Sequence, residues 1–155
     1  MLAFSTAFKS DCDKLAQNMR QAEIDEVMTS GAESPYEAVK ASFDVSVISD
    51  VILNDGKLVG MFGIVPKNYL ASRCLVWMLT TNEIENVNVK AFIKASRYWI
   101  NKTLGIYPLL YNWVDSRHIK SIKWLKLCGA YIDFENPIKC GKDEVAFYYF
   151  ELKRG

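Results

Sequence analysis

Hydrophobic positions along this chain alternate between two rhythms, one of period about 3.6 and one of near-continuous β-branched or apolar runs. Leu2–Phe8 reads as a short first strand. Ser10–Asn18 follows with acidic residues in its opening turn and Leu15 inward, the pattern of a helix start. In Met19–Ser30, Ile24, Val27 and Met28 oppose Glu23, Asp25 and Glu26, which predicts a second amphipathic helix stopping near Gly31. Ser34-Pro35 opens a third, with a capping hydroxyl, proline at the first helical position, and Tyr36, Val39 and Phe43 at helical spacing.

The rhythm then changes. Val45–Leu53 is rich in β-branched residues, Asn54-Asp55-Gly56 is a hairpin signal, and Leu58–Val65 returns as a second strand. Cys74–Thr81 is apolar almost throughout, which predicts a central strand. From Asn86 to Leu104, Val89, Phe92, Ile93, Trp99, Ile100 and Leu104 recur on one helical face against Lys90, Lys94 and Arg97. Leu109–Val114 is a further buried strand. Asp115 or Ser116 can cap the helix after it, and Gly129 can end that helix. Tyr131–Phe134 reads as a short strand, Glu135–Asp143 as a polar connection, and Val145–Leu152 as a last strand, apolar on both faces and so either interior or a subunit edge. The order predicts one α/β domain over residues 1–155: a mixed sheet of six to seven strands with helices on both faces.

Composition narrows the chemistry. Nineteen basic and eighteen acidic residues nearly cancel, so no general pull toward nucleic acid or anionic membrane is expected, although local contact with nucleic acid stays open. No window has the roughly 18 apolar residues of a membrane span, and no signal peptide is evident. The four cysteines lack C-x-x-C spacing and there is one histidine, so no metal site is expected and the thiols read as free.

Val114 to Ala130, V-D-S-R-H-x-x-S-I-K-W-L-K-x-x-G-A, resembles the strand–helix–glycine segment of the GNAT (GCN5-related N-acetyltransferase) fold. More narrowly, residues from about Arg20 to Phe134 resemble a family of small tailed-phage proteins, the internal virion proteins of the gene-product-thirteen type. The features carrying this are Ser34-Pro35-x-Glu37-Ala38, Gly60-x-Phe62-Gly63, Trp77-Met78-Leu79-Thr80-Thr81 and the Val114–Ala130 block.

The GNAT resemblance implies three site features. The first is a glycine-containing loop whose amides cradle the coenzyme A pyrophosphate at a helix N-terminus. Here Thr81–Asn88 has no glycine and carries Glu83 and Glu85, which would repel a polyphosphate by on the order of 1 kcal/mol each. The second is an asparagine opening the helix, and His118 stands there. At about 100° per residue His118 shares a face with Ile122 and Leu125, which predicts a satisfied core residue. The third is a tyrosine acid for the leaving thiolate; the position is Trp124, whose indole N–H is too weak an acid. No carboxylate lies in the central strand, and Asp115 and Glu83 read better as cap residues.

The resulting expectation is a GNAT-like scaffold without acetyl transfer. It would serve as a phage virion or virion-assembly protein, present in the host cytoplasm during assembly and in the virion, binding other virion proteins and using no cofactor. Lys120, Lys123 and Lys126, with Trp124 and Leu127 beside them, are the expected protein-contact surface. The alternative is an N-acetyltransferase using acetyl-CoA, acting on a host protein. Asp115 and His118 would then be the catalytic candidates, with Leu79, Thr81 and His118 holding the cofactor.

Overall fold

The structure, a computed structural model, describes residues 1–68 and 72–155. Seven strands form one sheet: β1 (Leu2–Thr6), β2 (Ile48–Asn54), β3 (Lys57–Pro66), β4 (Arg73–Thr80), β5 (Leu109–Asp115), β6 (Tyr131–Cys140) and β7 (Val145–Lys153). Their spatial order is β1-β2-β3-β4-β5-β7-β6. Every pairing is antiparallel except β4 with β5. The helices are α1 (Lys9–Gln17), α2 (Gln21–Thr29), α3 (Pro35–Val45), α4 (Val89–Leu104) and α5 (Ile119–Leu127).

Local chemistry explains most of these boundaries. Ser34 Oγ accepts from Glu37 N–H at the start of α3, with Pro35 at the first helical position. Asp55 and Gly56 both have positive φ, so the β2–β3 hairpin turns through two left-handed residues, the twist that a two-residue loop requires. Gly129 ends α5 at φ +90°, with Ala130 N–H returning to the Leu125 carbonyl.

Several boundaries differ from the sequence reading, beginning with the strand read from Val45: that residue closes α3, and β2 starts at Ile48. Helix α5 begins at Ile119, so neither Asp115 nor Ser116 caps it; Asp115 Oδ1 instead accepts from Arg117 N–H in the turn before it. The segment 82–86 is a short 3-10 turn, and α4 starts only at Val89, capped by Asn88. Strand β6 runs on to Cys140 rather than stopping at Phe134. Its polar residues lie on a sheet edge, where one side faces water, and a bulge between Asp133 and Ile138 absorbs Pro137. Strand β7 lies between β5 and β6, which accounts for its apolar faces.

Two cores cover the sheet. Phe62, Trp99, Ile100, Leu110 and Leu125 belong to the core under α4 and α5. Cys12, Leu15, Val39, Met61 and Trp77 belong to the core under α1–α3. Between them lies the β4–β5 seam, where the site forms.

Candidate functional site

Strands β4 and β5 pair only at Arg73–Leu109, Cys74–Leu110 and Leu75–Tyr111, and then diverge. Asn112 Nδ2 spans the start of the gap to the Val76 carbonyl at 2.7 Å. Further along, the Thr80 carbonyl accepts from Arg20 N–H at 3.2 Å. Backbone groups of alternate strand residues point the same way, so the N–H and C=O of Met78 face this gap. An open strand edge of this kind accepts an amide-bearing chain as an added strand would be accepted.

A cavity opens on each face of the gap. One of about 460 Å³ lies against α2 and α3, walled by Val27, Trp77, Trp113, Ile138 and Phe147. The other, about 360 Å³, lies between β4, α4 and α5, walled by Thr80, Val87, Phe92, Trp124 and Leu127, with Lys120 and Lys123 also lining it. Met78, Ser121 and Trp124 line both, so the two adjoin across the sheet. The tryptophans do not plug the gap. Trp77 donates to Ser46 Oγ at 2.8 Å, Trp124 donates to Ser96 Oγ at 3.0 Å, and Trp113 packs edge-on against Tyr149.

Titratable groups gather at this junction. Glu26 Oε1 accepts from Asp115 N–H at 3.1 Å, and its Oε2 is 3.4 Å from His118 Nδ1. Ser121 Oγ lies 3.0 Å from Nδ1 and 3.1 Å from Nε2 of that ring. Glu23, one turn before Glu26, is 2% exposed. Its Oε1 accepts from Thr80 Oγ1, while Arg20 Nε stands 3.6 Å from Oε2, which has no hydrogen-bond partner among the described residues. Burial pushes the Glu23 carboxyl above its ordinary range, with Thr80 and Arg20 only partly offsetting it. Burial also acts to raise Asp115, but the Arg117 guanidinium, 2.6 Å away, and the Arg117 N–H outweigh it and hold that carboxyl low.

The structure redistributes the roles that the sequence suggested. His118 is buried, as expected, although it precedes α5 rather than lying on its face, and it is partnered by Ser121 and Glu26, which themselves line the cavities. Asp115 is paired with Arg117 and is neither a helix cap nor a free base. Leu79 lines the α2–α3 cavity, and Thr81 is spent inside the fold, donating to the Leu58 carbonyl at 2.6 Å. Lys120, Lys123, Lys126 and Leu127 are exposed, but Trp124 is turned inward. Trp113, expected in the core, is a half-buried cavity wall. The carboxylates that matter were missed. Periodicity places Glu23 and Glu26 on the outer face of α2, whereas Glu23 is buried and the apolar Met28 of that helix is 42% exposed.

Three structures show the likeness of this architecture. An acetyltransferase of the GNAT family from Streptococcus pneumoniae superposes with a TM-score of 0.63 at 15% identity, covering all of both chains. This chain has the GNAT fold. Spermidine N-acetyltransferase from Vibrio cholerae, solved with CoA and spermine, gives 0.68 at 14% identity over 99% of this chain and 95% of that one. A putative phosphinothricin N-acetyltransferase gives 0.73 at 11% over 100% and 99%. At such identities the likeness establishes the fold alone. No protein-family model and no curated protein matches the sequence, so the resemblance to phage virion proteins gains no support.

The GNAT fold implies a coenzyme A thioester, and the residues fit its pantetheine arm. Met78 supplies an open backbone edge, and Val87, Phe92 and Trp124 supply apolar walls. The pyrophosphate cradle is different. The amides of Asn82, Glu83, Ile84 and Val87 are all engaged within the protein, so these four are not free to cradle a phosphate. Lys120 and Lys123 are the cations at hand, and the first also pairs with Glu85 at 3.7 Å on the exposed rim. Among the described residues no group of three His, Cys, Asp or Glu could hold a metal ion, and no helix is long and apolar enough to cross a membrane.

Proposed function

We propose that this protein is an N-acetyltransferase that moves an acetyl group from acetyl-CoA to a primary amine. The observation that carries this reading is the junction itself. Two cavities adjoin through an open strand seam, and a carboxylate–imidazole–hydroxyl cluster sits where they meet. Solved proteins of this fold include ones with CoA bound, which favours a thioester donor over a site that uses no cofactor.

A pantetheine thioester supplies an acyl carbon bonded to a thiolate leaving group. The chain's part is placement and proton handling. The open edge at Met78 would align the donor arm, and Lys120 and Lys123 would be the cations available to its phosphates. Glu26 Oε2, 21% exposed at the side chain, takes a proton from the incoming ammonium. His118 Nδ1 and the Asp115 amide hold that carboxylate in place. Transfer forms a C–N bond as the C–S bond breaks. Of the two protons the ammonium sheds, one ends on the departing thiol and one passes through Glu26 to solvent. Trp124, pointing its N–H at Ser96, takes no part in this.

Measuring thiol release from acetyl-CoA across a panel of amines tests the reading. Turnover by the native chain and its loss in Glu26→Gln are expected. Absence of both acetyl-CoA binding and thiol release would overturn it.

One observation favours a second reading, a scaffold acting through protein contacts, of which the phage virion role read from the sequence would be one case. Ile119 and Leu127 are each more than half exposed, and Lys120, Lys123 and Lys126 are exposed beside them. Detecting the protein in purified phage particles while it fails to bind acetyl-CoA would decide for that reading.

A further inference from the structure

We infer that the cavity against α2 and α3 is the acceptor site and that it takes a primary amine carried on a single apolar, ring-sized body. This rests on the acetyl-transfer reading and specifies its substrate class. Its 460 Å³ lies in the range of small-molecule sites, too small for a folded protein surface to enter. Five aromatic residues line it: Trp77, Trp113, Trp124, Phe147 and Phe150. Trp113 is held in place by edge contacts with Tyr111 and Tyr149, at ring separations of 5.9 and 5.4 Å. Such rigid rings favour an aromatic or compact aliphatic guest.

The polar groups that reach this cavity are few, and several are already spent. Asn112 uses its amide on the Val76 carbonyl and its oxygen on Trp113 N–H, and the Trp77 N–H goes to Ser46. Among the described lining residues the one carboxylate is Glu26, on the side that adjoins Ser121 and Trp124. One cation can therefore be matched, at the end nearest the donor cavity. A second ammonium, as in a polyamine, would find no second carboxylate among the described lining residues and only the weaker attraction of the aromatic faces, less than its lost hydration. A peptide would find its backbone amides largely unmatched for the same reason. The arrangement orients the guest, amine inward at Glu26 and ring outward against Trp113 and Phe147.

Calorimetry on the full chain tests this with 2-phenylethylamine, spermidine and a short peptide bearing a free N-terminus. 2-Phenylethylamine is expected to bind at least about tenfold more tightly than the other two. Trp113→Ala should weaken it about tenfold or more. Glu26→Gln should weaken it while leaving the neutral 2-phenylethanol unchanged. Trp113→Leu, which keeps an apolar wall and is less prone to unfolding, should give an intermediate loss, with far-UV circular dichroism confirming the fold of each variant. Equal or tighter spermidine or peptide binding, or indifference to Trp113 in folded variants, would overturn the inference. Acetyl transfer to spermidine without affinity for 2-phenylethylamine overturns this inference and leaves the acetyl-transfer reading standing. Tight, Trp113-dependent 2-phenylethylamine binding with neither acetyl-CoA binding nor thiol release supports the ligand class read for the cavity but overturns the transfer, and with it the cavity's role as acceptor site.

Discussion

His118 Nδ1 lies 3.4 Å from Glu26 Oε2, across 92 residues of sequence. The contact joins the start of α5 to the middle of α2 over the open seam between β4 and β5. If Glu26 is the proton acceptor, Glu26→Gln should lower kcat/KM by about 10²–10³ with a nearly unchanged fold. The loss should fall on kcat and on the amine's KM while the KM for acetyl-CoA stays nearly unchanged, a split that a purely structural role would not cause. Steady-state kinetics with each substrate varied in turn checks both.

Glu23 gives a stability signature of its own. Its carboxyl is raised by burial, so between the ordinary glutamate range and the raised value the folded chain binds more protons than the unfolded one. Stability therefore falls as pH rises through that window. Glu23→Gln should flatten this segment and be no less stable than the native chain at pH 7. Urea denaturation at stepped pH measures it.

Asp115 has the opposite sign. Its carboxyl is held low once the Arg117 bonds outweigh burial, so its contribution is present above the ordinary aspartate range and is lost as pH falls through the depressed value. Arg117→Ala leaves a carboxylate that is 3% exposed without its partner. A loss of about 1–3 kcal/mol at neutral pH is expected, discounted for the half-exposed arginine. That loss should shrink toward low pH, and chemical denaturation would follow it.

Gly63 and Trp77 face each other across β3 and β4, and the indole lies where any side chain at position 63 would project. A Cβ there would overlap the Trp77 ring. Gly63→Ala should destabilise by about 1–3 kcal/mol, because the ring must leave its rotamer and its bond to Ser46. A red shift in tryptophan emission should accompany the loss.

Burial pushes the Cys128 thiol up to about 12. Since the thiolate is the nucleophile, Cys128 should remain essentially unalkylated by iodoacetamide at pH 8 in the folded chain and react readily in urea. Peptide mass spectrometry reads the difference.

Much of the fold was written locally. Ser34-Pro35, Asn54-Asp55-Gly56 and Gly129 act through their own backbone preferences, so each boundary can be read within a few residues. The two-rhythm pattern likewise settled which segments became strands and which became helices. The second half of β6 escaped because an edge strand with one wet face looks like a loop in composition. The site was less legible. A rule that places glutamates on the wet face of a helix misreads Glu23, whose burial follows from how α2 lies across the end of β4. Sequence alone therefore determined the elements, their order and the scaffold. Only tertiary structure decided that β4 and β5 part after three pairs, that the Asn82 amide before α4 is taken by the Asn18 carbonyl, and that Glu26 meets His118. Those outcomes depend on distances between segments far apart in the chain, which short-range propensities do not encode.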